Sequence, residues 1–496
     1  RLQAAYTDSL NWSLEHKRVI LGLFVASLVA SGVLFKVMPQ DFLPSDDTGM
    51  LRVSIQAANG TSYERMVAYA RQVGAIIDSD PDVEGGMVRV SSGGAGANSA
   101  DISIMLKPYE ERRYGADDIA RHLRRRVDNI TGINVFIQNP PSIRIGGRGT
   151  RSSYQYTLQG LDIAQLQDVS TELVNKLKTV PGFVGVNSDF DRAAPSVEVK
   201  IDRDRAAALG VTPAQIEDAM GYAFGGQQVS QIYASSDQYL VMLELLPQYQ
   251  RNPSALRTLY ITSSNGNLVP LSAVTHQEIG TMPLSINHSG QVPSVTVSFD
   301  LAAGYSLSDA VTGIEKASRE IDVPNTIQGS FQGTAGAFQE STSNMPELLL
   351  IAIIVVYIVL GILYESFIHP LTILSGLPSA AVGALLTLFI AGLPLTLYAF
   401  VGMIMLIGIV KKNAIMMIDF ALHRQRNDVG ISPEQAIREA ALLRFRPIMM
   451  TTMAAMAGTL PIGFGGGVGA ESRRPLGLCV AGGLLLSQLL TLYITP

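Results

Sequence analysis

The stretch GIVKKNAIMMIDF, residues 408–420, places Lys411, Lys412, Asn413 and Asp419 inside one of the most apolar regions of the chain. A charge within a membrane span costs several kcal/mol on most scales, so such residues mark function by default. A lysine held in a low-dielectric helix bundle needs an anion or loses its proton. That is the chemistry of an ion pair made and broken by proton transfer. It is equally the chemistry of a salt bridge that only locks helices together. Lys412 and Asp419 are seven residues apart, about 20° around a helix and roughly 10 Å along it, so they share a face without touching. Lys411 points about 100° away from Lys412, so one of the two is expected to face the bundle interior, and Lys412 is taken as that one. Gly408, one turn earlier, lets another helix approach the Lys412 face. Thr451 and Thr452, in the next apolar segment, can add hydroxyls to a relay. Glu347 and Glu365 sit at segment ends, so no carboxylate in this sequence matches Lys412 in depth, and its partner is expected outside it.

These residues need membrane helices to hold them. The chain has 496 residues, 47% hydrophobic and 16% charged, with a mean hydropathy of +0.24 and a net charge of −5. A span takes about 20 mainly apolar residues. Residues 19–38 qualify, and so do 348–363, 371–390, 395–420, 447–464 and 476–496. His16, Lys17 and Arg18 precede the first of these, leaving 1–18 as a cytoplasmic or interfacial segment. His423, Arg424, Arg426, Arg438, Arg444 and Arg446 lie between the fourth and fifth. Positive charge marks that side as cytoplasmic, so the long loop faces out, with Arg473 and Arg474 as exceptions. The stretch PEQAIREAALL, 433–443, is expected to be an amphipathic helix along the cytoplasmic interface. The chain starts at Arg1 and stops inside an apolar run, as expected of a piece of a longer protein.

The loop repeats one pattern. LRVSIQAA (51–58) alternates like a strand, and Thr61 and Ser62 can cap a helix over 63–77. Strands at 82–92 and 101–108, a helix at 116–130 and a strand at 132–138 complete β-α-β-β-α-β, the ferredoxin-like split arrangement. That subdomain is placed at 39–152. The grammar recurs in 153–200 and 286–344, split by a different insert at 201–285 in which Asn265-Gly266 signals a hairpin turn. SSGGAGANSA, 91–100, joins two strands with glycines and small residues, which makes it a pliable connector. The fold class is thus an α+β membrane protein, with one span, a large outer domain and five more spans.

Other chemistry is absent. No GxxxxGK[ST] loop binds nucleotide phosphates. Six histidines lack metal spacing, and the lone Cys479 excludes a disulfide within the chain. No basic-aromatic run points to nucleic acid. Asp46 and Asp47 read as solvated loop carboxylates. Methionines concentrated in 403–456 suit adaptable helix packing, with a soft-metal path as the alternative. No cofactor and no enzymatic centre is expected.

FLPSDDTG (42–49), IDRDRAAALGVT (201–212), GIVKKNAIMMIDFAL (408–422), LLRFRPIMMTT (442–452) and GGLLLSQLLTLYITP (482–496) together resemble the C-terminal half of resistance-nodulation-division (RND) transporters. The wording is closest to the MdtB/MdtC branch of multidrug pumps, and the likeness covers essentially the whole chain. It implies a proton-driven antiporter of the Gram-negative inner membrane that exports amphiphilic small molecules. Lys412 then matches the relay lysine, paired with two aspartates of an N-terminal half, followed by Asn413, with Arg444 and Thr451 as relay arginine and threonine. Gly93, Gly94, Ala95, Gly96, Ala97, Asn98 and Ser99 match the switch loop, here without the phenylalanines of well-known pumps, which favours a gate over a contact surface. The two loop repeats match the periplasmic porter subdomains, and 201–285 matches the docking subdomain. The implied partners are a periplasmic adaptor, an outer-membrane channel and two further subunits of the same or a second kind. The proton is the coupling ion. A copper or silver exporter of the same fold, or a relative that handles lipids or translocates protein, is the alternative.

Overall fold

The computed structural model of the chain describes residues 2–58, 61–91, 98–143, 145–190, 194–250, 252–282, 285–427 and 430–496. It divides into two compact units, residues 1–190 with 286–496, and residues 191–285.

The first unit opens with α1 (Leu2–Glu15) and α2 (Lys17–Val37), followed by lobe 1: β1 (Met50–Ala57), α3 (Tyr63–Asp78), β2 (Val83–Val90), β3 (Ser99–Leu106), α4 (Ala116–Val127) and β4 (Ile133–Gln138). Its sheet has the antiparallel order β2-β3-β1-β4, the split arrangement read from the sequence. The period of two sends Leu51, Val53 and Ile55 to one face. There they meet Met66, Val73 and Ile77 of α3 and Ile119 and Leu123 of α4. Ser62 caps α3 by accepting the Arg65 N–H.

Lobe 2 begins with β5 (Tyr154–Gln159), α5 (Ile163–Leu177) and β6 (Phe183–Ser188). The second unit interrupts it. That unit holds β7 (Ala194–Ile201), α6 (Arg203–Ala208), α7 (Pro213–Phe224), β8 (Gln227–Tyr233), β9 (Gln238–Leu243), α8 (Pro247–Gln250), β10 (Tyr260–Thr262), β11 (Leu268–Pro270), α9 (Leu271–Val274) and β12 (Thr275–Met282). The boundary expected at 200/201 falls at 190/191, because β7 pairs along its whole length with β12. The Asn265-Gly266 turn closes β10 on β11, with Gly266 at φ 79°. Lobe 2 resumes with β13 (His288–Ser289), β14 (Val292–Leu301), α10 (Leu307–Glu320) and β15 (Gln328–Gln332). Its antiparallel order, β6-β14-β5-β15, repeats that of lobe 1. In sequence, the second unit therefore enters lobe 2 at the connection that residues 91–98 make in lobe 1.

The remaining helices are α11 (Gly333–Tyr364), α12 (Ile368–Leu374), α13 (Leu377–Ile390), α14 (Leu397–Asn427), α15 (Pro433–Phe464) and α16 (Ala470–Ile494). With α2 they make six spans among the described residues, α12 and α13 sharing one. The stretch 433–443 is not a separate interfacial helix. It forms the first turns of α15, opened by a capping box of Ser432 and Gln435. Pro447 withholds an N–H from the carbonyl of Leu443, an exposed residue, so the helix runs through it. Ala440 and Ala441 pack instead against Tyr6 and Leu10 of α1, and Tyr6 donates its hydroxyl to the Leu492 carbonyl at 3.0 Å. Glycines let α13 and α16 pack closely: a Cβ on Gly383 of α13 would lie 2.6 Å from the Gly482 carbonyl of α16.

Candidate functional site

Helix α14 buries Met403, Leu406, Val410, Asn413, Ala414 and Met417. That stripe turns Asn413 inward, where its Nδ2 donates to Thr452 Oγ1 of α15 at 3.0 Å and to Gln488 Oε1 of α16 at 3.2 Å. Thr452 Oγ1 donates to the same Gln488 Oε1 at 2.6 Å, and Gln488 Nε2 meets Met449 Sδ at 3.3 Å. Asn413, Thr452 and Gln488 are each no more than 8% exposed. In a membrane bundle every such group must find a protein partner, and this triad satisfies three helices at one point.

The lysines divide the other way from the expectation. Lys411 is buried, 8% exposed, and has no ion pair or hydrogen bond among the described residues. Lys412 is exposed, on the face shared with Met405, Gly408 and Asp419. A Cβ on Gly408 would have nothing within 4 Å. Lys412 turns out because the Asn413 anchor fixes the rotation of α14 and neighbouring side chains project about 100° apart, while Lys411, about 200° from Asn413, is buried on another side. A stripe carrying Lys412 and Asp419 on an apolar helix is costly against lipid.

Asn413 joins the triad, but its expected companions do not. Thr451 turns its hydroxyl back to the Ile448 carbonyl at 3.1 Å, and Thr452 takes the place in the network. Arg444 lies with Cζ 5.0 Å from the Phe420 ring, and its buried Nε has no partner among the described residues. Gly93, Gly94, Ala95, Gly96 and Ala97 lie outside the described residues. Asn98 is pinned: its Nδ2 donates to the Ala57 carbonyl at 3.0 Å, and its carbonyl accepts the Ala57 N–H at 2.8 Å. Ser99 begins β3. The triad's third member, Gln488, was legible by the rule that singled out Lys412, since it too is a polar residue within an apolar run.

Asp47 is not solvated. It is 3% exposed and paired with Arg112 Nη1 at 2.8 Å, and it accepts the Ala116 N–H at the start of α4. Its own N–H donates to Glu471 Oε2 of α16 at 3.0 Å, tying lobe 1 to a membrane helix. The face of the lobe 1 sheet opposite its helices carries Met50, Met87 and Met105, all exposed. Met50 and Met105 are cross-strand partners, and Met87 faces Ser103, two residues from Met105.

The profile of the AcrB/AcrD/AcrF family matches residues 1–496. Multidrug resistance protein MdtC of Escherichia coli O17:K52:H18 (strain UMN026 / ExPEC) is 44% identical over 495 residues, covering 100% of this chain and 48% of the relative. MdtC of Escherichia coli (strain K12 / DH10B) matches to the same extent, 44% over 495 residues. The chain thus spans about half the length of the curated relatives it matches. Crystal structures of a heavy metal efflux pump superpose with TM-scores of 0.87 and 0.85 at 27% identity, covering 100% of this chain and 51% and 50% of theirs.

Proposed function

The chain belongs to the AcrB/AcrD/AcrF family, and from that premise we propose that it forms part of a proton-driven exporter of amphiphilic small molecules in a Gram-negative inner membrane, a secondary transporter with its lobes in the periplasm. The observation that carries the reading is Lys412, exposed on an apolar helix whose rotation Asn413, Thr452 and Gln488 fix from an adjacent side. In the working transporter Lys412 faces carboxylates of further spans. Their protonation releases the lysine, and its shift is passed to α15 and α16 through the triad, with Arg444 and Thr451 on α15 responding. One charge crossing the membrane is worth about 2.3 kcal/mol per 100 mV, enough to bias helix packing. Residues 93–99 gate the passage of substrate, with Asn98 as the anchored end. The second unit meets an adaptor and an outer-membrane channel, in a trimer of one or two kinds of subunit.

The test is Lys412→Ala in the full-length protein, read as efflux of a fluorescent amphiphile with protein abundance measured alongside. Loss of efflux at normal abundance supports the relay, and full efflux refutes it.

A second reading is favoured by Met50, Met87 and Met105 on one exposed sheet face. As an adaptable apolar surface they suit amphiphiles, and as thioethers they suit copper(I) or silver(I). Among the described residues no group of His, Cys, Asp or Glu could hold a metal, so the thioethers would carry such a site. Replacing all three with leucine keeps the apolar area and removes the sulfur. Retained drug export with lost silver tolerance selects the metal reading.

A further inference from the structure

The strap that follows α2, residues 38–42, is fixed at both ends. Met38 is buried in the membrane core and Phe42 in the core of lobe 2. Between them the backbone is tied twice. Asp41 N–H donates to the Leu395 carbonyl at 3.1 Å, Leu395 N–H to the Pro39 carbonyl at 2.9 Å and Leu397 N–H to the Phe42 carbonyl at 3.0 Å. On the lobe side, Ser308 N–H donates to the Gln40 carbonyl at 3.2 Å, and Gln40 N–H donates to Ser308 Oγ at 3.3 Å. The Asp41 carboxylate therefore sits where lobe 2, α11 and α14 meet. Its one hydrogen bond among the described residues is accepted from the adjacent Phe42 N–H at 2.8 Å, and no cation pairs with it.

A small cavity opens beside it, lined by Phe338, Ser341, Thr342 and Met345 of α11 and Leu397 and Phe400 of α14. It has room for about one water. None of those side chains is charged. Thr342 is also the residue whose carbonyl loses its helical donor, because Pro346 lies four residues on inside α11 and has no N–H. The cavity is thus lined by the hydroxyl residues Ser341 and Thr342 and by no positive charge, which suits a carboxylic acid better than a carboxylate. From β5, the phenol of Tyr154 faces the same region, raised above its ordinary value first by burial and then by the charge of Asp41, with Asp300 and Asp117 adding less. From α10, Asp309 is occupied in capping Ser306, accepting its N–H at 3.0 Å and its hydroxyl at 2.7 Å.

We propose that Asp41 is a proton-binding site in its own right, which holds its proton more tightly while the strap seam is closed than when water enters between lobe 2 and α14. Burial raises its carboxyl to about 6, against the lowering effect of the Phe42 N–H. Movement from 3.8 to about 6 corresponds to a bias of roughly 100-fold towards the acid in the closed seam. Linkage is reciprocal, so proton binding closes the seam as strongly as closure holds the proton. The site is separate from the Asn413 triad and stands without the transport reading.

The test is infrared difference spectroscopy of the full-length protein in nanodiscs, titrated from about pH 8 to about pH 4. A protonated-carboxyl band with a midpoint near 6, absent in Asp41→Asn and kept in Asp46→Asn, is expected. Hydrogen exchange over residues 39–43 in the same series should show greater protection below the midpoint than above it. Should Asp41→Asn fail to assemble, the wild-type exchange decides alone. A strap whose protection does not follow a transition near 6, or a band that survives Asp41→Asn, overturns the proposal.

Discussion

Asn413 Nδ2 lies 3.0 Å from Thr452 Oγ1, and both groups converge on Gln488 Oε1. One acceptor oxygen therefore takes two donors from two other helices. Gln488→Leu removes that shared acceptor, whereas Thr452→Val leaves the Asn413–Gln488 bond. Gln488→Leu is expected to destabilise more, with a coupling of about 1 kcal/mol between Asn413 and Gln488 in a double-mutant cycle of thermal unfolding. Equal costs for the two single variants would show that the oxygen is not shared.

The lysines should separate in function. Lys411 is buried without an ion pair among the described residues, so Lys411→Met removes a desolvated amine and keeps its length. Unchanged or raised thermal stability and retained efflux are expected. Lys412→Met should abolish efflux at normal abundance. The opposite pattern in a susceptibility assay would make Lys411 the relay residue.

Arg112 and Asp47 form a buried pair 2.8 Å apart. Arg112→Met strands the Asp47 carboxylate and should cost about 3–5 kcal/mol, seen as lost protection of lobe 1 in hydrogen exchange. Restoring neutrality with Asp47→Asn in the same chain should recover part of that loss. A double variant as unstable as the single one would show that the stranded charge was not the cause.

Asp41 gives a pH dependence with a definite sign. Its carboxyl is raised from 3.8 to about 6 in the folded protein. Below the ordinary value both folded and unfolded forms are protonated, and the full stability is present. As pH rises from there the unfolded state loses its proton first, so stability falls until about 6 and is level above it. Asp41→Asn should flatten that slope and melt higher than wild type at neutral pH. Parallel melting curves across the window would contradict the raised value.

Local patterns were legible. The alternation of Leu51, Val53 and Ile55, the Ser62 cap and the apolar runs each declare themselves within a few residues. What stayed hidden depends on residues far apart in the chain. Asp47 read as solvated because Arg112 is 65 positions away. The edge of the insert moved because β7 belongs to β12, a pairing invisible from either strand alone. Asn413 and Gln488 are 75 positions apart, so the triad could be suspected only from polar residues misplaced in apolar helices. The choice between Lys411 and Lys412 turned on helix rotation, which neighbouring packing sets and spacing alone does not.

The contact between α13 and α16 gives the sharpest packing test. A Cβ on Gly482 would collide with the Thr387 side chain, and one on Gly383 would meet the Gly482 carbonyl at 2.6 Å and Leu486 Cβ at 2.8 Å. Backbone carbonyls cannot swing aside, so Gly383→Ala forces the helices apart, at about 1–3 kcal/mol for overpacking. Rotation of Thr387 would move its hydroxyl, breaking its hydrogen bond to the Gly383 carbonyl at 2.8 Å, but would leave its Cβ 2.5 Å and the Gly383 carbonyl 2.9 Å from a methyl on Gly482. Gly482→Ala should therefore cost at least as much as Gly383→Ala, and adding Thr387→Ala to it should recover only the part due to the hydroxyl. Because α16 also carries Gln488 and Glu471, a helix displaced at Gly383 should weaken the Asn413 triad and the Asp47 link together. Thermal unfolding of the three variants, with hydrogen exchange at residues 46–49, checks this, and equal loss in all three would mean that the contact is not the limiting one.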